Sequence, residues 1–171
     1  MPLRRVVAAA LLDVSVRQGD PYTAALAAAK SFATNPDALK PLDGFAASGV
    51  PSAAALSREL LTLVPKLSPP AQENTSGSSL VDRLQAGAAK LVRIQRTDAV
   101  GNDRGAVVAR VTAAALRNDM AEARRELNTL SPADRAAAQS WLDKSDARDA
   151  ALASSRQFAT DAMATLAKPQ Q

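Results

Sequence analysis

The sequence predicts an all-α protein of slender, closely packed helices, with no sheet. Apolar residues make up 47% of the 171 positions and aromatics only 3%. Alanine is the commonest apolar residue; it is the best helix former and a poor filler of cores. Apolar positions also recur every three or four residues, with Gly, Pro, Asn and Asp gathered between the periodic stretches. A chain of this length holds one domain with a real core or two small helical lobes.

The elements follow in order. A first helix is expected over residues 3–18, ended by Gly19. Asp20 then caps a second, with Pro21 at its first position and "YTAALAAAKSFA" after it, so that the two form a helical hairpin. "TNPDALKPLDGFAASGVP" reads as broken helical turns. Pro51 opens a third helix, "SAAALSRELLTLV", with Leu56, Leu60, Leu63 and Val64 at helical spacing. "PKLSPPAQENTSGSS" has no apolar periodicity and reads as a linker. "SLVDRLQAGAAKLVRI" resumes helix, and "QRTDAVGNDRG" is a polar turn. Residues 105–117 form another helix, Asp119 caps the next, and Ser131 with Pro132 opens one carrying Trp141. A final helix is expected from about Lys144 to Ala167. The domain reading is therefore an N-terminal helical part (1–65), a linker (66–78), a basic amphipathic helix and turn (79–104) and a C-terminal helical domain (105–171). Two stretches echo each other, "ALLDVSVRQGDPYTAALAAAKSF" and "VTAAALRNDMAEARRELNTL": each is helix, Gly-Asp or Asn-Asp turn, helix. That is the grammar of tetratricopeptide-like repeats, and equally of any two alanine-rich hairpins.

The run from Val6 to Leu12 is too short to span a membrane and lacks a following cleavage site, so it reads as a core helix. With no histidine and no cysteine, the chain lacks the commonest general base, the commonest metal ligand and any thiol nucleophile. No phosphate loop, GxGxxG or GxSxG is present. Asp143, Asp146 and Asp149 share a helix, but Lys144 and Arg148 interleave with them, as on a solvated face. The expectation is a protein that is not an enzyme and holds no metal or cofactor.

Charge is uneven. The net charge is +4, and residues 76–110 hold six basic residues against Asp82, Asp98 and Asp103. On the helix there, Leu80, Leu84, Gly87, Ala88 and Leu91 trace one face, and Arg83, Lys90 and Arg93 lie opposite, with Arg96 just beyond. Such a helix can lie in an anionic membrane interface, apolar side down, gaining roughly 1 kcal/mol per basic residue. It can equally pack its leucine face on its own domain. Nucleic acid is not an expected partner, because the segment has no aromatic residue to stack on bases.

Taken together, residues 105 to 167 resemble the C-terminal domain of mitofilin, the core subunit of the mitochondrial contact site and cristae organising system, in its alphaproteobacterial version. The stretch "AAAQSWLDKSDARDAA" carries the resemblance most strongly, as a tryptophan helix followed by an alanine- and charge-rich terminal helix. "RQGDPYTAAL" and "ASGVPSAAAL" resemble the region preceding that domain. The resemblance implies a protein anchored in the bacterial inner membrane by an N-terminal span that the given chain does not contain, with this portion facing the periplasm. It also implies self-association, membrane binding and bending, and contact with outer-membrane assembly proteins. The family's lipid-binding segment falls here on Ser79 to Arg96, which makes Leu80, Arg83, Leu84, Lys90, Leu91, Arg93 and Arg96 the expected contacts with anionic lipid. Leu116, Leu127, Leu130, Trp141 and Leu142 are expected to supply an apolar surface or core that meets a second copy, making a homo-oligomer, in the first place a dimer. The rival reading is a soluble tetratricopeptide-like helical adaptor that binds a protein or peptide.

Overall fold

The computed structural model describes residues 2–68 and 103–167. The fold is all-α: among the described residues 84% are helical and none lies in a strand. The helices are α1 (Pro2–Gln18), α2 (Thr23–Phe32), α3 (Ala53–Leu67), α4 (Arg104–Leu116), α5 (Met120–Thr129), α6 (Pro132–Arg135) and α7 (Gln139–Ala167). Two 3-10 helices, Pro36–Phe45 and Ala136–Ala138, complete the set. None of the described helices is long and apolar enough to cross a membrane.

The described residues form two compact units, one of residues 2–52 with 143–167, the other of 53–68 with 103–142. This cuts across the division expected from the sequence. α3, expected with the N-terminal helices, packs against α4 and α5 instead, and the terminal helix beyond Asp143 packs with α1 and α2. Each apolar face goes to the neighbour that buries it best, which chain order does not dictate.

In the first unit α1 and α2 form the expected hairpin. Gly19 ends α1 at φ +78°, and the amides of Gly19 and Asp20 bond back to Val16 and Ser15 at 3.3 and 3.1 Å. This is a Schellman turn, which needs a left-handed residue at that position. Asp20 does not cap α2, which begins at Thr23 with Tyr22 before it and no side-chain cap. Tyr22 turns inward, its amide bonding Ala46 O and its hydroxyl donating to Leu42 O, both at 2.8 Å. The helix start is thus set by a buried anchor rather than by local capping. The broken passage after α2 is ordered as a 3-10 helix, with Pro36 in its first turn and Asn35 Oδ1 accepting from Asp37 N at 3.1 Å. It places Leu39 and Leu42 in the core beside Leu12, Val16, Leu26 and Phe158. Gly49, at φ +80°, passes so close to Gly19 that a Cβ there would lie 1.9 Å from Gly19 O, so glycine is required at the crossing.

In the second unit α4 and α5 repeat the hairpin. Asn118 takes the left-handed position at φ 58°, and the amides of Asn118 and Asp119 bond Ala115 O and Ala114 O at 3.0 and 2.9 Å. This is the same Schellman turn, so the echo in the sequence is an echo in backbone geometry. Here the aspartate does cap: Asp119 Oδ1 accepts from Glu122 N at 3.0 Å. Arg110 and Glu126 pair across the hairpin at 2.8 Å. α3 continues through Pro65 to Leu67, past the expected start of the linker. Pro65 lies in the last turn, where its missing N–H costs one bond, and Leu67 is fully buried. Arg104 holds the end of α3, its Nε donating to Leu67 O at 2.6 Å while Nη1 pairs with Asp134 at 2.9 Å. The stretch from Ser131 is also not one helix. A Ser131-capped turn gives way to a 3-10 turn, and Trp141 belongs to α7, which runs unbroken past Lys144. No Gly or Pro interrupts residues 139–167, so nothing ends a helix there.

The first unit carries a testable pH dependence. Burial, helped by the negative charge of Asp43, pushes the Tyr22 phenol up from 10.0 to about 12. Below pH 10 the phenol is protonated in both states. Between pH 10 and about 12 the unfolded chain binds fewer protons than the folded one, so stability falls across that window. Urea unfolding of the native chain and of Tyr22→Phe should show the stability advantage of the native chain shrinking as pH rises through it. A difference independent of pH would mean that the phenol is not held in its protonated form.

Candidate functional site

One helix of this protein is apolar on two opposite faces. α1 places Ala9, Leu12 and Val16 in the first unit's core. On its other side Leu3 is 65% exposed, Val7 60%, Leu11 57% and Val14 40%. Steps of four, four and three residues keep these on one stripe along the helix. Single exposed leucines need no explanation, but four in register form a continuous apolar stripe.

The stripe has relief. Leu3, Val7 and Leu11 form a ridge at i, i+4, i+8, and the exposed Ala10 beside it leaves a shallow groove before Val14. Ridges of this kind interlock with those of another helix crossing at about −50°. Arg4 and Gln18 flank the stripe as exposed polar residues. Arg17 is tied to Asp13 at 2.8 Å.

Four of the five residues expected from the sequence to form an apolar surface or core lie inside the second unit. Leu127, Leu130, Trp141 and Leu142 are all buried within the second unit's own core, against Leu56, Leu60, Val107 and Val111. Trp141 is fully enclosed, its indole N–H donating to Leu56 O at 2.8 Å. A partner copy therefore does not reach these four in the folded unit, and Leu116, 68% exposed, is the member of that set left at the surface. The physical reason is that α3 joins this unit and covers the face that the C-terminal helices alone would have left open. The expected lipid contacts, Leu80, Arg83, Leu84, Lys90, Leu91, Arg93 and Arg96, lie outside the described residues, as do residues 69–78 of the expected linker. Sequence reasoning treated Val6 to Leu12 as core alone. The signal it passed over is that seven consecutive apolar residues make two turns of helix, more than one face can bury.

Among the described residues no group of three His, Cys, Asp or Glu side chains is arranged to hold a metal ion. What α1 offers is area and shape for another helix. No protein-family model, no curated protein and no solved structure matches this chain.

If the stripe lies outside the core, Val7→Ser with Leu11→Ser should shift the unfolding free energy at low protein concentration by no more than about 1 kcal/mol. Leu12→Ala, one residue away but buried, should cost about 2–5 kcal/mol. Urea titrations compare the two directly. Equal losses would put the stripe inside the fold.

Proposed function

We propose that this protein is a non-enzymatic scaffold of the mitofilin kind, self-associating and membrane-organising, that faces the periplasm at a bacterial inner membrane. The observation that carries the reading is the second apolar face of α1. Its occupant is a second copy of this chain. Two α1 helices crossing antiparallel set Leu3 against Val14 and Val7 against Leu11, so the stripe complements itself, as a twofold interface requires. Such a pairing covers roughly 400 Å² on each copy, and with the stems of Arg4 and Gln18 it approaches the roughly 1,000 Å² at which specific interfaces begin. That supports a reversible dimer, suited to a scaffold assembled at the high local concentration of a membrane.

The lipid part of the reading rests on residues 79–96, with Leu80, Leu84 and Leu91 apolar and Arg83, Lys90, Arg93 and Arg96 basic. The resemblance of residues 105–167 to the mitofilin domain adds contact with outer-membrane assembly proteins. A second reading, a tetratricopeptide-like adaptor, draws support from the shared Schellman turns of the α1–α2 and α4–α5 hairpins.

The two readings separate in one experiment. Molar mass by sedimentation equilibrium and co-sedimentation with anionic and neutral liposomes are measured for the native chain, Val7→Ser/Leu11→Ser, and a variant with Arg83, Lys90, Arg93 and Arg96 changed to Glu. The scaffold predicts a concentration-dependent dimer lost in the first variant, and salt-sensitive binding to anionic liposomes lost in the second. A monomer that ignores both liposomes at every concentration would leave the adaptor reading.

A further inference from the structure

The first unit contains a second feature, independent of the α1 stripe and beyond the scaffold reading. A cavity of about 480 Å³ opens between residues 33–39 and the face of α7 that carries Ala153, Ser154, Gln157 and Phe158, with Arg5 and Asp161 in its wall. That volume is within the range of small-ligand sites.

Arg5 is the unusual group in it. Its guanidinium lies over the Phe158 ring, 5.5 Å from the centroid, a cation–π contact that holds it against that ring. Among the described residues its one hydrogen bond is from Nη1 to Thr34 Oγ1, long at 3.4 Å. Its Nε is buried with no acceptor at all. A guanidinium has five N–H donors in a rigid fork that matches a carboxylate, and leaving a buried donor unmet is costly. The buried Nε is closed to any ligand, but the guanidinium is partly exposed, so its Nη donors, which hold one long bond, are the ones an anion in the cavity would meet.

The rest of the lining narrows the anion. Ala33, Ala38, Ala153 and the Phe158 ring edge make much of the wall apolar. Asp161 supplies a negative charge that opposes the one cation. Its side chain already accepts from Gln157 Nε2 at 2.8 Å, and a carboxylate has lone pairs for a further donor. A dianionic phosphate would meet one favourable and one unfavourable charge. A singly charged group with an N–H close to it and an apolar side chain meets a partner for each part.

We propose that this cavity binds an α-amino-acid carboxylate, free or as the last residue of a polypeptide. The carboxylate lies on Arg5, the amide or ammonium N–H points to Asp161, and the apolar side chain packs among Ala33, Ala153 and Phe158.

Titration of the 15N-labelled full chain tests this with three probes: N-acetylleucine, N-acetylleucinamide, and an acetylated tetrapeptide ending in a leucine carboxylate. The acid should shift the amides of Ala33, Thr34, Ala153 and Gln157, and the leucinamide should bind at least about tenfold more weakly. Arg5→Met keeps the stem over Phe158 and removes the charge, and it should weaken the acid by a similar factor. Ala153→Leu leaves Arg5 intact and fills the cavity from an exposed helix position, so it should abolish the shifts even if the Arg5 variant fails to fold. A tetrapeptide that binds more tightly than N-acetylleucine assigns the site to a chain end, and one that binds more weakly assigns it to the free amino acid. Equal binding of acid and amide, native-like binding by Arg5→Met, or no shift with any probe would overturn the proposal.

Discussion

The inward face of α1 is held by the burial of Leu12 and Val16 together with the hydrogen bond from Ser155 to Asp13. Ser155 is fully buried on α7, and its hydroxyl reaches Asp13 Oδ1 at 3.0 Å. Asp13 also takes the Arg17 ion pair, with only 13% of its side chain exposed. A carboxylate so nearly enclosed needs those donors, and α7 can bring Ser155 close because alanines Ala151 and Ala162 line the same contact with Ala9. Rotating α1 to bury Leu3, Val7 and Leu11 would carry Asp13 away from Ser155 and strand its charge. The outward stripe is therefore a consequence of how the inward face is held, and the apolar surface it leaves open is a cost that the isolated unit bears.

Much of the secondary structure was legible because it rests on local chemistry. Gly19, Asn118 with Asp119, and Ser131 with Pro132 mark turns by their own backbone preferences, and the structure places turns or caps at each. What was not legible rests on long-range contact. Tyr22 overrides Asp20 at the start of α2 because its hydroxyl finds Leu42 O twenty residues on. α3 runs through Pro65 because Leu67 has a core to enter and Arg104 to hold its last carbonyl. The unit boundaries were hidden for the same reason: which helix an alanine-rich face joins depends on shape more than on pattern.

Of the five residues expected to supply an apolar surface or core, Leu127, Leu130, Trp141 and Leu142 are core, and Leu116 stays exposed. Trp141 is a core residue, its indole N–H satisfied by Leu56 O and its ring enclosed with α3 in the second unit. The open apolar surface belongs instead to a run that looked like ordinary core. Arg5 was invisible as a site residue because its meaning comes from Phe158 and Thr34, which fold brings together from three elements. The two features divide α1 between them: its outer face offers a crossing for another helix, and its inner face lends one guanidinium to a cavity.

The central claim, that the outer face of α1 is a helix–helix contact between copies, has a direct measurement. The chain contains no cysteine, so an equal mixture of Val7→Cys and Leu11→Cys variants places facing thiols across the antiparallel crossing, and Arg156→Cys places one on an exposed face of α7. Mild oxidation at a protein concentration where the dimer forms should link the Val7→Cys and Leu11→Cys mixture into a covalent dimer, since paired helices bring these Cα atoms near the roughly 4.4–6.8 Å that a disulfide needs, while Arg156→Cys stays monomeric. No cross-linked species from the Val7→Cys and Leu11→Cys mixture, or as much from Arg156→Cys, would contradict the account.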